Sequence, residues 1–147
     1  MQQAALVPEL LVQDIKESRA FYTDTLGFQI AYERPAQGFC YLTLGAAQLM
    51  IEQITDGPRS FVNGEITRPF GRGMNLQIMV PDLAAILAKL SPAHIFHPQE
   101  EAWYETNQGF AGQRQVVITD PDGYLLRLAQ DLGTTKTPPA DAILQRR

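Results

Sequence analysis

A short motif that occurs twice constrains this chain more than any other feature. Val12-Gln13-Asp14-Ile15 and Val80-Pro81-Asp82-Leu83 align with a shift of 68 residues. In each, an apolar run with strand character ends at an aspartate and a helical pattern follows. Asp14 has Glu17 three residues on, as in a capping box. Ile15, Phe21, Tyr22 and Leu26 punctuate a helix that stops at Gly27, a good residue for the left-handed position after a helix. Asp82 opens a second helix through Leu90, with Leu83, Ile86, Leu87 and Leu90 on one side.

The strands around these helices repeat in order. The first set runs from about Ala5 to Gln13, Phe28 to Glu33, Phe39 to Leu44 and Ala47 to Ile54. The second runs from Met74 to Val80, Ile95 to Thr106, Gln113 to Thr119 and Tyr124 to Gln130. A βαβββ unit stated twice is an α+β pattern, with module one at about 5–54 and module two at about 74–130. Pro8 fits an edge strand, where no ladder donor is needed. Between the modules, 55–73, the periodicity fails. Gly57-Pro58, Asn63-Gly64, Pro69 and Gly71-Arg72-Gly73 mark a long connection, which is a linker or a functional flap. Its glycines match neither a dinucleotide motif nor a P-loop. The tail, 131–147, holds Pro138-Pro139 and ends Gln145-Arg146-Arg147. It reads as a flexible tail, the alternative being a short arm that grips a partner subunit.

With 147 residues the chain suits one domain, or two small fused modules sharing a core. Twelve basic against sixteen acidic side chains give −4, which argues against nucleic acid as a partner. No apolar run approaches the roughly 18 residues of a membrane span, and the N-terminus lacks a basic region followed by an apolar core. No membrane partner and a cytoplasmic setting are therefore expected. The lone Cys40 excludes an internal disulfide and reads as a small buried hydrophobe.

Val116-Val117-Ile118-Thr119-Asp120-Pro121-Asp122-Gly123-Tyr124-Leu125-Leu126-Arg127-Leu128 reads as two strands joined by a tight turn, with Gly123 supplying a positive φ. Tyr124, Leu126 and Leu128 share one face, Leu125 and Arg127 the other. This hairpin, with Phe21-Tyr22 followed by Leu26-Gly27-Phe28, resembles the vicinal-oxygen-chelate superfamily of glyoxalases, bleomycin-resistance proteins and extradiol dioxygenases. The resemblance spans about Ala5 to Leu132 and makes the whole chain a single domain of that class. It implies two curved sheets, each with a helix on its convex face and a cup on its concave face. Glu9, Tyr22, Gly27, Trp103-Tyr104 and Asp120 to Tyr124 look most like the bleomycin-resistance proteins, which bind a drug without chemistry. The resemblance further implies a homodimer, no cofactor and no catalytic residue. Superfamily metalloenzymes hold their ion near the start of each first strand and the end of each last strand. Those places fall here on Val7, Ile51 or Glu52, Asn75 and Arg127, so no metal is expected: valine has no donor, and a guanidinium cannot coordinate.

Strand alternation selects the cup-facing candidates. Glu9 shares a face with Val7 and Leu11, opposite Pro8, Leu10 and Val12; the alternative is a solvent-exposed strand glutamate. Phe39 and Tyr41 share a face, and Glu52 joins them in one register. Asn75 and Gln77 alternate with the apolar Leu76, Ile78 and Val80. Trp103 and Tyr104, flanked by acids, suit stacking on a planar or cationic ligand, the alternative being a module or dimer interface. Arg34, Arg68 and Arg127 are cations for Glu9, Glu52 or an anionic ligand. His94 and His97 read as ordinary surface or packing residues. The leading reading is a metal-independent protein that sequesters an amphipathic or cationic small molecule. The alternatives are a metal-dependent lyase, isomerase or dioxygenase of the superfamily, and a protein with a closed cup that assembles with partners.

Overall fold

Both aspartates of the repeated motif cap a helix. Asp14 Oδ1 accepts the backbone N–H groups of Lys16 and Glu17 at 2.9 and 3.2 Å, and Asp82 Oδ1 accepts that of Ala85 at 3.1 Å. The computed structural model describes residues 1–145. It divides into two compact units, the first made of residues 1–73 with 120–124, the second of 74–119 and the chain from 125 onward.

In unit one the strands are β1 (Glu9–Val12), β2 (Gln29–Arg34), β3 (Phe39–Leu44) and β4 (Ala47–Gln53). Helix α1 (Ile15–Ala20) follows β1 and continues through a π-helical turn, Phe21–Thr25. Gly27 ends it with φ 86°. The sheet order is β1-β4-β3-β2, with β1 parallel to β4 and the other pairs antiparallel. The first strand is shorter than predicted. Its ladder begins just after Pro8, which has no N–H to give, although Pro8 O still accepts from Met50 N at 2.8 Å. Leu10, Val12, Cys40, Leu42, Leu49 and Ile51 lie buried on one sheet face and form the core with Tyr22 and Leu26. Cys40 is thus the small buried hydrophobe expected of it; burial pushes its thiol up to about 11, so it stays protonated.

The turn of the hairpin motif belongs to this first unit. Asp120 Oδ2 accepts the Tyr22 hydroxyl at 2.9 Å. Its Oδ1 accepts the N–H groups of Asp122 and Tyr124, both at 2.9 Å. Asp122 accepts Arg68 Nη2 at 3.0 Å and Gln13 N–H at 3.2 Å, and the Tyr124 hydroxyl donates to Leu11 O at 2.9 Å. Gly123 has φ 98°, and a Cβ there would lie 2.6 Å from Pro69 Cβ, so only glycine fits.

Unit two contains β5 (Asn75–Met79), α2 (Leu83–Leu87), β6 (Ile95–Thr106), β7 (Gly109–Thr119), β8 (Leu125–Thr135) and β9 (Ile143–Gln145), in sheet order β5-β8-β7-β6-β9. Helix α2 stops before the predicted Leu90. Lys89 and Leu90 both donate to Ile86 O, and Ser91, which precedes Pro92, is extended at φ −64°, ψ 136°. Ile78, Val80, Leu83, Val116, Ile118, Leu126 and Leu128 are buried as its core. The segment read as a flexible tail is largely sheet. β8 runs on to Thr135, and β9 pairs parallel with Ala102–Tyr104 of β6, giving partners to edge groups that otherwise face solvent. Arg146 and Arg147 lie outside the described residues.

Trp103 packs flat on Gly112, its cross-strand partner. A Cβ at Gly112 would lie 2.5 Å from two indole carbons. Gly112→Ala is therefore expected to destabilise the protein by about 1–3 kcal/mol through overpacking. Urea unfolding followed by the emission of this single tryptophan measures it; an unchanged midpoint would show that the indole moves aside freely.

Candidate functional site

The face of the unit-one sheet opposite the core brings together most of the residues selected from module one. Cross-strand neighbours share a face, and the register pairs Glu9 with Met50, Leu11 and Phe39 with Glu52, Tyr41 with Met50 and Tyr32, and Phe39 with Arg34. Glu9, Phe39, Tyr41 and Glu52 are thus on one surface. Tyr32 stacks on Tyr41 with ring centroids 5.1 Å apart and lies tilted against Phe39 at 5.8 Å. The Arg34 guanidinium carbon sits 3.8 Å from the centroid of Phe39.

The Glu9 carboxyl faces that of Glu52, and a hydrogen bond joins the two when Glu9 carries its proton. That bond, partial burial and the Glu52 charge push the Glu9 carboxyl up to about 7, against the opposing pull of Arg34 and Arg59. Beside the pair lies a cleft of about 370 Å³ lined by Glu9, Gln37, Glu52, Thr55, Arg59 and Phe61. The connection 55–73 therefore contributes part of the wall. Phe61 is 77% exposed, with the Arg59 guanidinium 5.5 Å from its ring centroid.

Arg68 does not join this group. It donates to Gln13 Oε1, Pro121 O and Asp122, and its role is to hold the 120–124 turn. Tyr32, Arg59 and Phe61 are the residues that sequence reasoning missed. A bulge between Ile30 and Tyr32 shifts the alternation of β2, so its facing cannot be counted from either end. Arg59 and Phe61 lie in a segment without periodicity.

In unit two, Asn75, Gln77, Tyr104 and Arg127 share the sheet face opposite α2. Gln77 Oε1 accepts Gln113 Nε2 at 3.2 Å, Gln113 also donates to Gln115 at 2.6 Å, and Gln115 donates to Glu100 at 2.8 Å. The Tyr104 hydroxyl donates to Gln115 Oε1 at 2.9 Å. His97 Nε2 meets Glu100 at 3.1 Å, and the bond from Gln115, followed by that from His97, holds the Glu100 carboxyl below its usual range. His97 is thus part of a polar chain across this face. Arg127 Nη2 reaches Asn75 Oδ1 at 3.4 Å, and Arg127 Nε is buried without a partner. Trp103 stands apart from these residues. Adjacent strand residues point to opposite faces, and Trp103 is buried against Gly112 on the side away from Tyr104.

The positions that hold a metal in superfamily enzymes do not fit one here. Val7 has no donor atom. The Asn75 amide oxygen already accepts from Arg127, whose guanidinium repels a divalent ion. Glu52 is engaged with Glu9. Among the described residues no group of three His, Cys, Asp or Glu is arranged to hold a metal ion.

The profile of the Glyoxalase/Bleomycin resistance protein/Dioxygenase superfamily matches residues 4–128, and the chain belongs to this superfamily. Its α+β architecture of two βαβββ units is the fold of that superfamily. Bleomycin resistance proteins from Geobacillus stearothermophilus and Staphylococcus aureus are each 24% identical over 143 residues, covering 86% of this chain and 96% of theirs. A protein of unknown function from Agrobacterium tumefaciens str. C58 superposes with a TM-score of 0.65 at 24% identity, covering 90% of this chain and 97% of that one. TioX from Micromonospora sp. ML1 gives a TM-score of 0.62 at 19% identity, covering 88% and 100%. No helix among the described residues is long and apolar enough to cross a membrane.

Proposed function

We infer that this protein binds an amphipathic small-molecule cation on the unit-one face, without a metal and without chemistry. The observation that carries the reading is the Glu9–Glu52 pair beside the Tyr32, Phe39 and Tyr41 wall. Two facing carboxyls, one of which keeps its proton up to about pH 7, attract any cation able to replace that proton, and aromatic faces add cation–π and apolar contact. The arginine and amide at the superfamily's metal positions support binding over catalysis, because they leave no Lewis acid for metal-dependent chemistry. The names of the curated relatives make bleomycin the first ligand to test. A homodimer in the cytoplasm completes the reading.

The Glu9 proton gives this proposal a pH signature. A cation displaces it, so affinity should rise about fivefold between about pH 6 and pH 7, about tenfold by about pH 8, and level off above that. Stability of the free protein should run the other way. The Glu9 carboxyl titrates near 7 in the fold and near 4.5 when unfolded. Its contribution to stability is complete below the lower value and is lost as pH rises through the upper one. Isothermal titration with bleomycin across this range, paired with thermal melts of the free protein, measures both slopes. Affinity that is flat or falls with rising pH would overturn the reading.

A further inference from the structure

Resting on the cation-binding reading above, we propose that Arg34 is a built-in occupant of this site. The ligand group that enters is then a planar cation, which displaces the Arg34 guanidinium from the face of Phe39. Arg34 and Phe39 are cross-strand partners on β2 and β3, and Glu52 is the partner of Phe39 on the other side. The Phe39 ring therefore lies between a guanidinium and a carboxylate on one sheet face. The guanidinium carbon is 3.8 Å from the ring centroid, which is stacking distance, and Phe39 is only 4% exposed beneath it.

The hold on Arg34 is weak. Among the described residues its side chain makes one hydrogen bond, at 2.5 Å, from Nε to the neutral Gln37 Oε1, and Gln37 itself lines the cleft. Among the described residues no carboxylate lies within ion-pair distance of Arg34. Arg19, Arg68 and Arg114, in contrast, each have a carboxylate partner at 3.0 Å or less. An exposed arginine, stacked on a buried aromatic ring and left without an ion pair, can be moved at little cost.

The geometry also selects the shape of the replacement. Tyr41 and Tyr32 stack with their planes 25° apart, and Tyr32 leads on to Phe39. A flat cation laid on Phe39 extends this wall, with Glu52 alongside to balance its charge. A cation of the same charge but a rounded outline gains only the attraction of the carboxylates. Arg34 then acts as a specificity-determining residue, admitting only groups that stack on Phe39 better than a guanidinium does.

The test compares proflavine, a planar aromatic cation, with tetraphenylphosphonium, a bulky non-planar cation of equal charge. Both are titrated by calorimetry into the wild type, Arg34→Ala, Arg34→Lys and Arg59→Ala. Arg59 also pulls on Glu9 but lies 5.5 Å from the Phe61 ring and does not cover Phe39, so it controls for removal of a nearby cation that leaves the Phe39 face as it was. The expected result is that Arg34→Ala binds proflavine about tenfold more tightly than the wild type, in the range that a cation–π contact supplies. Tetraphenylphosphonium should tighten no more than it does in Arg59→Ala. Arg34→Lys keeps the charge without the flat stack, and it should fall in between; it carries the test if the alanine variant does not fold. Unchanged or weaker proflavine binding in Arg34→Ala and Arg34→Lys would overturn the inference. So would equal gains for both cations and both arginines, which would mean charge alone. If the wild type binds both cations but the variants do not discriminate, only this inference fails. If folded wild type and variants bind neither cation, the cation-binding reading fails with it.

Discussion

Replacing Asp120 by alanine is expected to lower the stability of the protein by about 3–5 kcal/mol. The side chain is 3% exposed and accepts three hydrogen bonds, from the Tyr22 hydroxyl and from the N–H groups of Asp122 and Tyr124. Truncation leaves all three donors without an acceptor. Tyr22 is fully buried, so its hydroxyl cannot turn to water, and burial together with the neighbouring acids already raises its pKa well above the ordinary phenol value. Tyr22→Phe removes one donor and keeps the turn's own bonds, so it should cost only about 1–2 kcal/mol. Asp120 itself is held above the usual carboxylate range, first by burial, against the bonds it accepts. Denaturant unfolding of both variants measures the difference. A loss below about 1 kcal/mol for Asp120→Ala would mean that the turn is not a structural clamp.

This use of the hairpin motif was only half legible. Gly123 announces a turn by its chemistry, and the positive φ follows from it. Nothing local says that the two aspartates of the turn reach Tyr22, Gln13 and Arg68, because those contacts join residues far apart in the chain. Arg68 looked like a free cation for the same reason.

The helix caps and β3 were readable because capping and alternation are short-range rules. The Glu9–Glu52 pair was readable only as two separate candidates. What joins them is the parallel register of β1 on β4, which sets Glu9 beside Met50 and Leu11 beside Glu52. No hairpin connects those strands, so no turn fixes that register in the sequence. Trp103 and Tyr104 read together as a stacking pair, but neighbours along a strand face opposite ways, so one sheet face holds only one of them. The acids around the two aromatics suggested a ligand, and Gly112, the residue that receives the indole, carried no signal until its cross-strand position was known.

Metal-free binding of a cation on the unit-one face, through Glu9 and Glu52, is the proposal from which the other functional predictions follow. Equilibrium dialysis of chelator-treated protein against bleomycin and a set of aromatic cations, at about pH 8, tests it most directly. The wild type should bind at least one of these cations with unchanged affinity before and after chelation. Glu9→Gln with Glu52→Gln should weaken that binding about tenfold to a hundredfold, the loss expected when a charged hydrogen bond disappears, while the melting temperature holds or rises. Binding that vanishes on chelation and returns with a divalent ion would contradict the account, as would undiminished binding to the double glutamine variant.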